Sequence, residues 1–338
     1  QRQMCIRDSY IRAGDRANAV ALKEEVVKRF RLPDGTYRAF VYSDPARLED
    51  VVSVSASMDW LDAMMEYYVS YGSEGDYKEI RTMVGNLFDS EGKVVTEKIS
   101  VAKYVESLYV SLEDTSIYDE DDEGSMEQLY GTLTGDSDSL EVENNEISEE
   151  VEGVLLSNIN LRLIRDLENN GLIAAGAYEK ALEAVKNGFT GAGYSFYAYA
   201  TAGAMDCGAY LYSGQSTGTI DIAQNVKTMR NLAEVGELDS SSYAEFKGQV
   251  MNTGRIYTEF VLMTGNYSGG EAVSAYSDGL MIAYYQGDTD LYNKLSDTLG
   301  KRVATKSSSP AIYMIFREEN DRYVFYAREN LSARLATS

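Results

Sequence analysis

Apolar residues recur at helical spacing over most of the chain, and this pattern defines the elements before anything else does. In RANAVALKEEVVKRFR, residues 16 to 31, Ala19, Leu22, Val26 and Phe30 fall on one face of an amphipathic helix. It stops at LPDG, because the residue before Pro33 avoids the helical region and Asp34-Gly35 favours a turn. GTYRAFVY reads as a short strand or an extended loop. A second helix begins at Ser53 or Ser55 and runs to about Ser70, with Met58, Leu61, Met64, Met65 and Tyr68 on an apolar face too wide for a surface helix. It is expected to insert between neighbours. Tyr71-Gly72 ends it, and Ser73 with Asp76 starts a third helix carrying Tyr77, Ile80, Met83, Val84 and Leu87 inward.

A further helix is predicted over 99 to 111 from Val101, Tyr104, Val105 and Leu108. From there to Arg162 no Lys or Arg occurs, and the dense carboxylates among Gly and Ser predict an acidic, mobile surface insertion over 113 to 150. A calcium loop is the alternative, but DEDDEG lacks the spacing and closing Glu of an EF-hand. Order resumes near 151. Leu156, Ile159, Leu163, Ile164 and Leu167 share one face, stopped by Asn170-Gly171, and the next helix covers roughly 173 to 187. The stretch 189 to 219 is either a long loop or a pair of short strands. Helices then follow in TIDIAQNVKTMRNLAEVG, SSSYAEFKGQVMNTG, EAVSAYSDGLMIAYYQG and DTDLYNKLSDTLGKRVAT, with RIYTEFVLMTGNYSGG as an aromatic loop between the second and third. Residues 311 to 326 read as extended, before a last helix from about 329.

The alternation supports a mainly all-α fold with at least nine helices and one domain over 11–336. Periodicity does not choose among bundle, superhelix and toroid, and no strict repeat defines a tetratricopeptide or ankyrin array. Residues 1–10, QRQMCIRDSY, have neither a basic-then-apolar profile nor a helical stripe and read as a non-native leader. If they replace a natural start, a signal peptide or lipid anchor could have been lost with it.

Charge narrows the partners. With 54 acidic against 31 basic residues and a net charge of −23, the long-range field repels nucleic acid and anionic membrane surfaces as main partners. No stretch is long and apolar enough to span a bilayer. The chain has no His and two Cys, at 5 and 207, so a Cys/His zinc site and a Ser-His-Asp triad are both excluded. No metal or cofactor is expected. Cys207 reads as a small hydrophobe, and the Gly-rich SGQSTGT lacks the terminal Lys of a phosphate loop. Acid–base work near neutral pH falls to carboxylates, Tyr or Lys.

Tyrosine is the unusual component, with 27 against a single Trp, Trp60, and 9 Phe. Tyr194, Tyr197, Tyr199, Tyr210, Tyr212, Tyr257 and Tyr267 fall in Gly-rich loops, where aromatic faces can stack on sugar rings or can simply be half-buried with the hydroxyl in water. Asp221 and Glu271 open apolar helices. Each is either a favourable charge at a helix start or one of a pair that activates water and protonates a glycosidic oxygen.

A resemblance bears on that choice. The serine-flanked helix near 53, the run IDIAQNVKTMRNLAEVGEL, GRIYTEF followed by a loop and TG, GEAVSAYSDGLMIAYYQGDTDLYNKL, and AIYMIFREENDRYVFYARENLSARLA are together similar to the catalytic-domain layout of bacterial family 8 glycoside hydrolases and their diverged relatives in exopolysaccharide gene clusters. The resemblance spans roughly 16 to 336. It implies an (α/α)6 toroid of six helical hairpins, a β-linked polysaccharide as partner, cleavage by inversion, a monomer, and a place outside the cytoplasm or in the cell envelope. Family members present Ser-Glu-Gly or Ser-Glu-Ser before the first long core helix, the Glu being the general acid. Here Ser53-Val54-Ser55 puts Val54 at that position. Thr219-Ile220-Asp221-Ile222-Ala223 resembles the substrate-contacting helix start, and Gly270-Glu271-Ala272-Val273 the Glu-Ser-x-Ala-Val segment of the diverged branch, with Ala272 in place of Ser. Either another carboxylate, Asp59 or Glu271, has taken the acid's role, or hydrolysis is lost and a glycan-binding fold is left. The competing expectation is a non-catalytic helical scaffold that binds protein, with its tyrosines scattered and no shared cleft.

Overall fold

The computed structural model of the protein describes residues 14–38, 51–102, 148–200, 209–214, 218–304, 315–319 and 322–324. Among them are α1 (Arg16–Phe30), α2 (Val54–Tyr71), α3 (Glu74–Leu87), α4 (Leu161–Asn169), α5 (Ala177–Asn187), α6 (Ile222–Glu234), α7 (Ser240–Thr253), α8 (Ala275–Tyr285) and α9 (Thr289–Gly300). The leader 1–10, both cysteines, nearly all of the acidic segment and the expected last helix lie outside the described residues.

Helix starts follow the side chains that can satisfy the first free N–H groups. Ser53 Oγ accepts from the Ala56 N–H at 3.3 Å, so α2 begins at Val54. Ser73 and Asp76 form a reciprocal capping box that starts α3. Asn160, Asp221, Asp239 and Asp288 cap α4, α6, α7 and α9 in the same way. The cap at Asn160 corrects the expected single helix from 156. Leu156–Asn158 is instead a separate 3-10 turn, with α4 starting after it.

Strands are the larger departure. Residues Glu97–Ala102 form β1, where a helix over 99 to 111 was expected; residues beyond 102 lie outside the description. The alternation in EKISVA has a period of two, which suits a strand, and Ile99 is buried. β1 pairs antiparallel with β2 (Ser148–Leu155), then β3 (Ala198–Ala200) and β4 (Ala209–Leu211), giving a four-stranded sheet in chain order. Strand β2 begins at Ser148, three residues ahead of the expected 151, and the pair of strands was the right alternative for part of 189 to 219. Gly153 in β2 is where the sheet demands no side chain, since an added Cβ would lie 2.7 Å from the Tyr199 carbonyl oxygen. A second sheet joins β5 (Thr219–Asp221), β6 (Tyr257–Val261) and β7 (Asn266–Glu271), so the expected aromatic loop is a β-hairpin. β8 (Arg317–Glu319) and β9 (Arg322–Val324) form a small hairpin within the segment read as extended.

Packing is in consecutive helix pairs, α2 on α3, α4 on α5 and α8 on α9, with α6 touching both α4 and α8. One apolar cluster gathers α2 to α5 around Met58, Leu61, Met64, Ile80 and Ile164. Another gathers α6 to α9 and the β6–β7 hairpin around Val226, Phe246, Tyr276, Leu280 and Leu295. Helix α6 contributes to both, Leu232 to the first and Val226, Met229 and Ala233 to the second, which makes it the seam.

A polar lane crosses this interior. Ser55, Asp59, Asp62 and Glu66 recur at spacings of four and three on α2, hence on one helical face. Lower in the lane, Arg162 of α4 meets Asp62 (2.5 Å), Glu234 of α6 (3.0 Å), Asp166 (3.2 Å) and Glu66 (3.4 Å). Arg230 reaches Glu234 at 3.4 Å and Asp278 of α8 at 3.9 Å, and the Tyr285 hydroxyl donates to Glu234 at 2.9 Å. Four helices are thereby tied to one ionic network. Among the described residues no helix is long and apolar enough to cross a membrane.

Candidate functional site

At the other end of the lane, the first turns of α2 and α6 meet the 3-10 turn. Strand β1 starts with Glu97, paired across the sheet with Gly153, and the chain leaving β2 runs directly into Leu156–Asn158. These two connections set Glu97 beside the turn. Asn158 Nδ2 donates to Glu97 Oε1 at 2.7 Å, and the Val54 backbone N–H at the start of α2 is near enough to draw the same carboxyl down. Asn158 is 2% exposed, and its Oδ1 has no protein partner. Burial pushes the Glu97 carboxyl above the usual carboxylate range, against the opposing pull of Asn158, the Val54 N–H and the charge of Lys227.

Helix α6 supplies the facing groups. Asp221 Oδ1 accepts from the Gln224 N–H at 3.0 Å, and the Ser157 hydroxyl donates to Gln224 Oε1. Asn231 Nδ2 donates to the carbonyls of Ser157 (3.3 Å) and Ile159 (3.1 Å), which pins the turn onto α6. Lys227 Nζ spans back to α2, donating to Ser55 Oγ and Asp59 Oδ1, each at 3.2 Å. The half-buried phenol of Tyr197 is pushed up first by burial, then by the charges of Asp221 and Glu97, so both carboxylates act on one ring. A carboxylate at a helix start, another at the start of β1, an amide with a free acceptor, a lysine and a phenol make a site able to hold a polar, uncharged ligand and to move protons.

Of the residues expected from the sequence, Asp221, Asp59, Tyr197 and the backbone of Val54 come together here, while the Val54 side chain packs against the first core. The others do not join this group. Trp60 is 2% exposed in the core with its ring 5.7 Å from that of Tyr37, so it presents no face to a sugar. Tyr194 is fully buried, 4.8 Å from Phe260. Glu271 is held by Arg302 and by the Tyr276 hydroxyl at 2.6 Å, which ties the end of β7 to α8. Tyr257 and Tyr267 stack on each other at 5.5 Å on the hairpin, and the Tyr267 hydroxyl donates to Glu245. Tyr212 packs on Phe196 at 4.8 Å. Tyr199 and Tyr210, 5.0 Å apart, line a separate cavity of 760 Å³ with Val94, Ala181 and Ala184, and neither Glu97 nor Asp221 borders it.

Glu97, Asn158 and Lys227 were not identified from the sequence. Lys227 stands among Gln224, Asn225, Thr228 and Arg230 on α6 and gave no local signal; for Glu97 and Asn158 only the fold joins residues so far apart. Among the described residues no group of three His, Cys, Asp or Glu is placed to hold a metal ion.

Comparison of the whole fold with solved structures is informative. The chain superposes on a novel α-amylase from Clostridium perfringens with a TM-score of 0.68 at 16% identity, covering 99% of this chain and 85% of that one. The chain has the fold of the family 8 glycoside hydrolases. PssZ from Listeria monocytogenes matches at 0.62 with 8% identity over 100% of this chain and 84% of its own, and an endo-1,4-D-glucanase from Vibrio fischeri ES114 at 0.57 with 10% identity over 100% and 85%. A reducing-end-xylose releasing exo-oligoxylanase also matches at 0.57, covering 99% of this chain and 79% of that one at 9% identity. No family model and no curated relative matches the sequence. At such low identities the likeness concerns the fold, and the chemistry has to be argued from the residues present.

Proposed function

We propose that this chain is a glycoside hydrolase-like protein that binds a β-linked polysaccharide across the mouth formed by α2, α6 and the 3-10 turn. In this reading its helical hairpins close as an (α/α)6 toroid, and it works outside the cytoplasm or in the cell envelope. The observation that carries the proposal is the grouping of Asp221, Glu97, Asn158 and Tyr197 at one end of an interior polar lane, in a fold shared with an endo-glucanase and an exo-oligoxylanase. A neutral polymer suits the charge balance, since an acidic protein repels phosphate backbones but not sugar hydroxyls. Asn158 Oδ1 is a buried acceptor that a ligand hydroxyl or a water can satisfy. Val54 supplies no carboxyl, so the positions matched to the family account for binding and not for proton donation to the leaving oxygen.

The test is retention on insoluble β-glucan and xylan with a soluble glycan panel as competitor. The protein is expected to bind at least one neutral β-linked polymer, and Tyr197→Ala is expected to weaken that binding about 2- to 10-fold, the scale of one aromatic contact. Absence of binding across the panel, or binding indifferent to Tyr197→Ala and Asn158→Ala together, would refute the placement.

A further inference from the structure

We propose that the 760 Å³ cavity between α5 and the four-stranded sheet is a second binding site, for an uncharged planar ring ligand that is apolar over its faces and polar at one edge. It is separate from the group of residues at the start of α2 and does not depend on the glycan reading. The walls follow from strand register and helical spacing. Val154, Tyr199 and Tyr210 are cross-strand partners on β2, β3 and β4, so they stand in one row on one face of the sheet. Opposite them α5 offers Ala177, Ala181 and Ala184, spaced four and three apart and hence on one helical face. The larger Leu182 and Val185 of the same helix are buried in the first core, so α5 sets methyl groups against the tyrosines and the gap stays open. Gly92, at φ +77°, passes so close that an added Cβ would lie 2.6 Å from the Ala177 Cβ, which packs the loop after α3 directly onto α5 at one side of the cavity.

The lining selects the ligand. A volume of 760 Å³ falls in the range of about 300–1,000 Å³ that holds small molecules, and a mostly apolar wall with a few placed polar groups is what such sites share. The rings of Tyr199 and Tyr210 lie 5.0 Å apart, tilted by 53°, and the Tyr210 hydroxyl donates to the Ala184 carbonyl at 2.5 Å, so the aromatic wall is tied to the alanine wall before any ligand arrives. Such a wall pairs best with another ring, offset or edge to face. The charged and amide side chains of the lining, Glu91, Lys93, Lys180, Glu183 and Asn187, are all exposed and form the rim. Lys93 and Lys180 both reach Glu91, at 3.0 and 3.6 Å, and Glu183 balances the second lysine, so the rim carries no net charge. That disfavours an anion or a cation. A sugar with a hydroxyl on every carbon would set several of them against Val94, Val154 and Ile164 without a partner, each losing its hydrogen bond to water. A ring whose hydroxyl or amide group meets the rim leaves nothing unpaired.

The experiment titrates the protein with the neutral dye Nile red, whose fluorescence rises in an apolar site, and displaces it with 2-naphthol, dodecanol and cellobiose. Parent, Ala181→Leu and Tyr199→Ala are compared, with circular dichroism and melting temperature recorded for each. The parent is expected to bind the dye at one saturable site with a Kd on the order of 1–100 µM, from the affinity per atom of ligands of about this size. It should release the dye to 2-naphthol at roughly tenfold lower concentration than to the other two competitors. Ala181→Leu fills the gap from a half-buried position and should weaken dye binding by about tenfold or more while the melting temperature is kept. Tyr199→Ala removes one ring and should weaken binding about 2- to 10-fold; it is the deciding variant if Ala181→Leu melts early. Dye binding indifferent to both substitutions, or no saturable site, overturns the proposal. Preferential displacement by dodecanol would assign the cavity to an acyl chain and by cellobiose to a glycan, and either result overturns the ring ligand. Glycan retention by Ala181→Leu should match the parent, so failure at this cavity and failure of glycan binding are read separately.

Discussion

Arg162→Met is the sharpest test of the ionic network beneath the site. The side chain of Arg162 is 20% exposed and meets four carboxylates, of which Asp62 and Glu234 are 16% and 9% exposed. Met keeps most of the aliphatic length and removes the charge. Asp62 is then left with Asn160 Nδ2 at 3.2 Å, and Glu234 with Arg230 and Tyr285. Removing one partner of a largely buried ion pair costs about 3–5 kcal/mol, because the other charges stay desolvated. Unfolding entropy scales at about 2.1 cal/mol/K per residue, so a chain of this size should lose roughly 4–7 °C in melting temperature at neutral pH. The pH dependence supplies a second signature. Burial, then the nearby carboxylates, hold Asp62 up at about 6 even with Arg162 present. A carboxyl raised in the folded state binds more protons than in the unfolded chain between its two values, so its contribution to stability falls as pH rises through that window. Loss of Arg162, whose charge pulls Asp62 down, raises Asp62 further. The deficit should therefore be largest near pH 7 and shrink toward pH 4. Thermal melts followed by circular dichroism at pH 4, 5.5 and 7 measure it. A melting temperature within 1 °C of the parent at pH 7, or a deficit constant across the range, would refute the assignment of this network as a coupled, desolvated unit.

Two further substitutions probe positions where packing decides. Trp60→Ala should cost about 3–5 kcal/mol through the cavity it leaves in the first core, measured by denaturant titration; a stable variant that has lost glycan retention would instead return Trp60 to the binding surface. Gly153→Ala should destabilise by about 1–3 kcal/mol, because its Cβ meets the Tyr199 carbonyl at 2.7 Å and neither strand can yield without breaking pairing; an unchanged melting curve would show that the sheet relaxes there.

The same contrast between local signal and assembled structure runs through the molecule. Helix starts were legible because a cap is a contact between residues three apart: Ser53, Ser73 and Asp221 each bond a backbone N–H within one turn. Helix stops at Gly236 and Gly254 were equally local, both adopting positive φ. The resemblance in layout survived to the fold, since alternating apolar faces and loops specify helix pairing whatever the loops contain. Strand β1 was misread because a short apolar run fits either period, and its pairing with β2 lies across some fifty residues of chain. Tyrosines gave the weakest forecast. A ring among glycines is equally suited to a sugar and to a core, and only packing showed Tyr194 buried against Phe260, Tyr199 and Tyr210 on another cavity, and Tyr197 beside the carboxylates.

The sequence by itself determined most of the helices, the exclusion of His and of Cys/His zinc chemistry, and the absence of a carboxyl at Val54, because each is a matter of residue identity or of contacts within a few positions. The tertiary structure alone decided that Glu97 lies against the Val54 N–H, that Asn158 is aimed at it, and that Lys227 joins α6 to Ser55 and Asp59. Those groups stand 43 to 172 positions apart for the paired contacts that set them, the longest being Lys227 to Ser55. No periodicity encodes such a distance. It is fixed by strand register and by the burial of α2 and α6 against their neighbours.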